Sequence, residues 1–339
     1  MTAFLLFAAL AVAFVATGAV RRHALAANLL DIPNDRSSHT VPTPRGGGLG
    51  VVIAFTLLVS WLAWSGNIER HFAVALLGSG LIVAAVGLID DLRHVPSRLR
   101  LLSHLAAAAW ALYWLGGVPP FPVFGIAVDL GWFAQALGLL YLVGLLNFFN
   151  FMDGIDGIAG VEAIVVALGG AFLWWLAAGS AQWIVPALFA ACVAGFLAWN
   201  FPPAKIFMGD AGSGFIGIVL GVMSLRAGID SAPVYWGWFV LLGCFIVDAT
   251  VTLVRRLRRG GRFDEAHRSH AYQYASRRHG GHRPVTLAYG AVTALWLLPI
   301  AGAVAAGWVE SVLGVAIAYA PLVYLAFRYK AGASDLQET

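Results

Sequence analysis

Charge is scarce in this sequence. Asp, Glu, Lys and Arg together make up 11% of the 339 residues, against 60% for the hydrophobic types. With a mean hydropathy of +0.81, that balance excludes a soluble globule and points to a helical protein with many membrane crossings. Cysteine is scarcer still. Cys192 and Cys244 both sit inside apolar runs, where they read as inert packing residues. Neither a disulfide framework nor a cysteine-based metal centre is implied. The first apolar run, from about Thr2 to Val20, has no charged residue before it and no clear cleavage site after it. It lacks the basic start of a signal peptide and is expected to remain as a helix.

A bilayer-crossing helix needs about 20 mainly apolar residues. Eleven spans can be placed, near 2–20, 46–64, 72–89, 99–115, 132–149, 158–178, 184–200, 213–229, 234–254, 285–307 and 309–327. The predicted class is all-α: a polytopic integral membrane protein of about 11 helices forming one domain over residues 1–339. Connections after even-numbered spans are mostly short and nearly uncharged, such as Ser65–His71 and Gly179–Trp183. Those after odd-numbered spans, with the C-terminal tail, hold 19 of the 21 Lys and Arg, leaving Arg70 and Arg226 on the other side. The positive-inside rule then places the N-terminus outside and the C-terminus in the cytoplasm. The sequence pI near 9.3 follows from this topology and suits an anionic substrate; it gives no reason to invoke nucleic acid.

The polar clusters share that parity. Asp90-Asp91, Asp153 with Asp156, Asp210, and His267 with His270 all follow odd-numbered spans. The densest is Asn147–Gly157, Asn-Phe-Phe-Asn-Phe-Met-Asp-Gly-Ile-Asp-Gly, at the end of a long apolar run. Asn147, Asn150, Asp153 and Asp156 recur every three residues, a spacing that stacks them in a 3₁₀-like turn and drifts around an α-helix. Gly154 and Gly157 suit a helix end and a close backbone approach to a ligand. A plain polar helix end is the bland alternative.

Asp90 and Asp91 close the third span, where the helix dipole disfavours each carboxylate by about 0.3–1 kcal/mol. A metal ion or a cationic group would resolve that cost, and Arg93 and Arg98 are the structural alternative. Lys205–Gly214, Lys-Ile-Phe-Met-Gly-Asp-Ala-Gly-Ser-Gly, leads into the eighth span. A helix N-terminus suits phosphate, and a carboxylate beside phosphate calls for a divalent cation, with Mg²⁺ the usual choice and Mn²⁺ an alternative. Asp210 as an ordinary N-cap is the competing reading. In the first loop, Asp31–Gly50, Arg36, His39 and Arg45 are candidates for phosphate or head-group contact, although topology alone also explains arginines there. In the last loop His267 and His270 are three apart and would face one way on a helix. The surrounding arginines oppose a zinc site and favour diphosphate binding by Arg268 and the histidines. Asp248, inside the ninth span, is a functional candidate by default, with polar packing an equal alternative.

At these residues the chain resembles the polyprenyl-phosphate N-acetylhexosamine-1-phosphate transferase superfamily. The resemblance rests on Asp90-Asp91, Asn147-x-x-Asn150-x-x-Asp153-Gly-x-Asp156-Gly, Phe207-Met-Gly-Asp210-x-Gly-Ser and a histidine motif in the last loop, and covers nearly the whole chain. It implies a Mg²⁺-dependent enzyme of the bacterial cytoplasmic membrane, with a cytoplasm-facing site. The implied substrates are a UDP-N-acetylhexosamine and undecaprenyl phosphate, the products a polyprenyl-diphospho-sugar and UMP, and a homodimer is one assembly open to it. By the resemblance, Asp210, with Asp90 beside it, holds the metal, and one of Asp90 and Asp91 deprotonates the lipid phosphate or assists the ion. Asn147, Asp153 and Asp156 match the nucleotide-sugar cleft, Phe207 the aromatic that stacks on uracil, and His267 and His270 part of the histidine motif. The departure lies there: His267-Arg-Ser-His270-Ala-Tyr-Gln replaces the consecutive histidines of muramoyl-pentapeptide enzymes and the His-Leu-His-His of many GlcNAc enzymes. It looks like the branch that starts O-antigen synthesis, some of whose members use 6-deoxy sugars such as FucNAc or QuiNAc. A GlcNAc-1-phosphate transferase for another envelope polymer is the alternative. A transporter is the rival from another class, and it predicts ionisable residues at mid-membrane rather than at one face.

Overall fold

The computed structural model describes residues 2–33, 38–93, 95–119, 121–123, 126–128, 130–261 and 268–333. The helices are α1 (Thr2–Ala26), α2 (Leu49–Trp64), α3 (Arg70–Leu92), α4 (Ser97–Leu115), α5 (Gly131–Met152), α6 (Ile158–Ala178) and α7 (Ile184–Asn200). They continue as α8 (Asp210–Asp230), α9 (Ala232–Leu241), α10 (Gly243–Arg258), α11 (Ala271–Arg278), α12 (His282–Val292), α13 (Leu298–Ala305) and α14 (Ser311–Arg328). A 3₁₀ turn (Ala181–Trp183) leads into α7, and a π-helical turn (Thr293–Leu297) joins α12 to α13 as one continuous span. Two short antiparallel pairs complete the described elements: β1 (Leu30–Asp31) with β2 (Thr43–Pro44), and β3 (Phe121–Val123) with β4 (Ile126–Val128). The protein is an all-α polytopic membrane protein. Large apolar side chains such as Phe4, Phe7, Leu140 and Tyr324 point outward, as expected where the surrounding solvent is hydrocarbon.

Each of the eleven expected spans coincides with helix, but they are not equal. Among the described residues, eight helices are long and apolar enough to cross a membrane, and the bent pair α9–α10 makes a ninth. Of the other two, α2 has 16 residues, about 24 Å of helix, and α4 spends Arg98, Arg100 and His104 in its opening turns. The span expected as one piece over 234–254 is broken, with a 64° bend between α9 and α10. Tyr319 of α14 supplies the cause. Its hydroxyl donates to the Phe239 carbonyl, the acceptor that the Gly243 N–H would take in an unbroken helix. A side chain entering the ladder in this way is a standard source of a kink.

The bundle is built around α8. Every residue from Ala211 to Gly228 is buried, the all-round burial expected of a helix that is apolar on every face. α3, α5 and α9 pack along it. Gly87 lets α3 come this close: a Cβ there would stand 2.5 Å from the Ala211 nitrogen. At the far end of α8, Arg226 bonds Glu69 at 2.7 Å and pairs with Asp230, whose other oxygen accepts from Trp174 at 2.8 Å. One of the two cations expected on the sparsely charged side is thus neutralised within the protein. At the near end of α8 lies the site.

Candidate active site

The near end of α8 starts from a hydrogen-bonded loop pair. The Phe207 N–H donates to the Pro44 carbonyl at 2.8 Å, and Gly47 and Gly48 donate back to Phe207 and Met208 at 2.8 and 2.9 Å. Gly209 then turns the chain with φ +78, and a Cβ there would lie 2.7 Å from Asp91 Oδ2; only glycine combines that dihedral with that approach. Asp91, at the end of α3, accepts from the Asp210 N–H at 3.1 Å and from the Ala211 N–H at 3.3 Å. The two carboxylates at the end of α3 therefore have unequal roles. Asp91 is buried and caps α8, while its backbone carbonyl takes the Arg45 guanidinium. Asp90 turns away to the Val95 N–H at 2.7 Å and to Arg100. Arg100 pairs with Asp90 and Arg45 lies against Asp91, in the place of Arg93 and Arg98, the alternative that the sequence offered.

α5 delivers the next groups. Asn150 Nδ2 donates to Asp210 Oδ1 at 2.9 Å and to Ser213 Oγ at 3.0 Å. Because α5 stays α-helical to Met152, the three-residue row does not stack: the Asn147 amide turns back to the Val143 carbonyl at 2.7 Å. Asp153 sits just past the helix end. Burial, then the carboxylates of Asp210, Asp156 and Asp91, push its pKa well above the usual range. Asp156 is braced: the Ala204 N–H donates to its Oδ2 at 3.0 Å, and its own N–H donates to His282 Nδ1 at 3.3 Å.

These groups open onto a cavity of about 490 Å³, within the range that holds a small ligand. It is lined by Asp91, Asn150, Asp153, Asp156 and Asp210, by His39, Arg45 and Phe207, and by Asp31, Ser38, Asn200, Ser213, Gln273 and His282 among others. The His39 and Phe207 rings meet edge to face at 4.8 Å. The structure thus brings eight of the expected site residues to one wall-to-wall space. Asp90, Asn147, Arg268 and His270 are described and are not on its lining, whereas Arg36 and His267 lie outside the described residues.

His270 does not stand on a helix face. It is the N-cap of α11, in extended backbone, with its N–H donated to Gln273 Oε1 at 3.3 Å. Its buried ring lies 3.3 Å from Asp248 Oδ1. Asp248 also accepts from the Ala271 and Tyr272 N–H groups at 3.0 Å and from the Tyr289 hydroxyl at 2.8 Å. The one carboxylate expected inside the ninth span is therefore the anchor of α11, which presents Gln273 to the cavity. Asn200, Gln273 and His282 escaped the sequence reading. Asn200 had a signal, a carboxamide at the end of an apolar helix. Gln273 had one too, as the last residue of the His267–Gln273 motif; His282 had none, since Ser38 and Asp156 are remote from it in sequence.

The chain is similar to known proteins over the helices that build this end of the bundle. Residues 73–228, which run from α3 to the end of α8, match the glycosyl transferase family 4 model. A probable undecaprenyl-phosphate N-acetylglucosaminyl 1-phosphate transferase of Bacillus subtilis is 28% identical over 250 residues, 72% of this chain and 68% of that protein. A decaprenyl-phosphate N-acetylglucosaminephosphotransferase of Mycolicibacterium smegmatis is 29% identical over 96% of this chain and 88% of its own length. A phospho-N-acetylmuramoyl-pentapeptide-transferase of Moorella thermoacetica is 32% identical over 59% of this chain and 66% of its own. The family match and these relatives support placing the chain with the polyprenyl-phosphate N-acetylhexosamine-1-phosphate transferases.

Proposed function

We propose that the protein transfers an N-acetylhexosamine 1-phosphate from a UDP-sugar to undecaprenyl phosphate, releasing UMP, on the cytoplasmic face of a bacterial inner membrane. The observation that carries this reading is the single cavity in which the N-terminus of α8, the carboxylates of Asp91, Asp153 and Asp210, and the aromatic pair His39 and Phe207 converge. An oxygen of the lipid phosphate attacks the sugar-bearing phosphorus of the UDP-sugar. The bond from that phosphorus to the bridging oxygen breaks, and UMP leaves with the electron pair. A phosphate monoester is mostly ionised at neutral pH, so little base catalysis is required, and positioning with charge neutralisation supplies most of the rate. Asn150 orients Asp210, Asp91 fixes the start of α8, and Arg45 supplies positive charge at the cavity edge.

The donor set suits Mg²⁺. Among the described residues no three His, Cys, Asp or Glu groups form a ready-made cage for an ion, and Mg²⁺ characteristically binds through one or two carboxylates together with substrate phosphates. The upward-shifted Asp153 carboxyl beside Asp210 and Asp91 marks a place where a cation relieves repulsion. Asp210 and Asp153 would hold the ion, which would neutralise the diphosphate when bound. Asp90, paired with Arg100, is a weaker candidate ligand.

The Bacillus and Mycolicibacterium relatives are named for N-acetylglucosamine, which favours UDP-GlcNAc as the donor. The His267–Gln273 sequence favours a 6-deoxy sugar and O-antigen initiation instead. One assay decides. Membranes containing the protein are incubated with undecaprenyl phosphate, Mg²⁺ and radiolabelled UDP-GlcNAc, UDP-FucNAc or UDP-QuiNAc. Butanol-extractable label from one donor, abolished by EDTA and restored by Mg²⁺ or Mn²⁺, is expected. No lipid-linked label from any donor would reject the reaction.

A further inference from the structure

Three segments distant in the chain meet at one imidazole that no motif includes. His282, the first residue of α12, lines the cavity, and its side chain is 16% exposed. Its Nε2 lies 3.1 Å from the Ser38 carbonyl of the first loop. A carbonyl only accepts, so Nε2 carries a proton and donates. Its Nδ1 lies 3.3 Å from the Asp156 backbone nitrogen, which donates to it, and 3.2 Å from Asp156 Oδ1. One turn along α12 the Thr286 hydroxyl donates to the Asp156 carbonyl at 2.8 Å. The other Asp156 carboxylate oxygen is taken by the Ala204 N–H. Asp156 is therefore held from three directions, two of them by α12. Among the described residues nothing donates to the Asp153 carboxylate, although it lines the same cavity.

The position of this brace decides what it serves. Ser38 adjoins His39, whose ring meets Phe207 to form an aromatic surface of the cavity. A planar base stacks on such a surface. Its hydrogen bonds run to Ser38 and Asp156 and to none of Asp91, Asn150 and Asp210, the groups gathered at the start of α8. We infer that His282 is a positioning residue that ties the first-loop wall at Ser38–His39 to the 153–157 loop and so sets the shape of the nucleotide end of the cavity. Substrate binding depends on it, and the phosphoryl step does not. The inference rests on the proposed nucleotide-sugar site.

The test uses full-length protein in detergent, with UMP binding by calorimetry beside steady-state kinetics for the donor sugar. Replacing His282 by alanine removes both arms of the brace and leaves the Ser38 and Asp156 groups without their partner. UMP affinity should fall, and KM should rise, about tenfold, with kcat within about threefold of wild type. His282→Asn keeps an acceptor for the Asp156 N–H, and His282→Gln keeps a donor for Ser38, so each should recover part of the affinity. Unchanged UMP affinity and KM in His282→Ala overturn the inference, as does a fall in kcat at constant KM. Equal losses in all three variants, accompanied by lowered thermal stability, overturn it too, since they reveal a folding role. Wild-type protein that binds no UMP overturns the nucleotide site itself and this inference with it.

Discussion

Asp91 accepts the two N–H groups that open α8, which leaves Asp210 with no capping work to do. In the sequence Asp210 could be read equally as a helix cap or as a metal ligand, and the distinction now falls to a second residue 119 positions away. The Asp210 carboxylate instead receives the Asn150 amide and keeps its other oxygen 3.8 Å from Arg100. Asp210→Asn retains the shape and removes the charge. If Asp210 binds the cation, turnover should fall about a hundredfold or more, and the Mg²⁺ midpoint of the residual activity should move to higher concentration. Substantial turnover with an unchanged midpoint would exclude a metal role. At this scale the sequence revealed residues that sit in compact spacing patterns, such as Asn150, Asp153 and Asp156. It hid His282, whose contacts run to Ser38 and Asp156 across the whole chain.

At the scale of elements, α10 and α11 form a joint held by one carboxylate. Asp248 accepts from two α11 backbone N–H groups and the Tyr289 hydroxyl, with Thr252 Oγ1 donating at 3.2 Å. The C-terminal turn reinforces the joint from outside: Arg255 bonds the Ala331 carbonyl, Arg259 the Gly332 carbonyl at 2.9 Å, and the Gly332 N–H the Ser269 carbonyl at 2.6 Å. Part of the basic charge near the last loop is thus structural, fastening the chain on either side of His270. Asp248→Ala would leave buried donors unsatisfied, at about 1–3 kcal/mol for each. Its detergent-purified form should unfold at clearly lower temperature than wild type, and Asp248→Asn, which keeps an acceptor, should lie between them. Wild-type thermal stability in Asp248→Ala would show that the anchor is dispensable. The sequence identified Asp248 as unusual but could not show what it caps, because the capped helix begins 23 residues later. The break at Leu242 was equally hidden: it depends on Tyr319, from another helix, and Pro233 stands at the start of α9 rather than at the bend.

Over the whole molecule, helix number and order were legible because a bilayer imposes a length and a polarity on every crossing. What could not be read was which of those crossings is complete, since α2 is short and α4 opens with arginines. The cavity lies where α3, α5 and α7 end and α8 begins, the end toward which the basic loops project. Orientation then decides whether this end meets cytoplasmic nucleotide-sugar. Cys192 and Cys244 are buried, so single cysteines introduced at exposed positions can be labelled without first removing the native ones. Ser65, at the exposed end of α2, and Arg278, at the end of α11, stand on opposite sides of the bundle if the basic loops are cytoplasmic. In spheroplasts a membrane-impermeant maleimide should label Ser65→Cys and spare Arg278→Cys, and permeabilisation should make both reactive. The opposite pattern would turn the cavity away from the cytoplasm, where no UDP-sugar could reach the start of α8, and the proposed reaction would fail on topology alone.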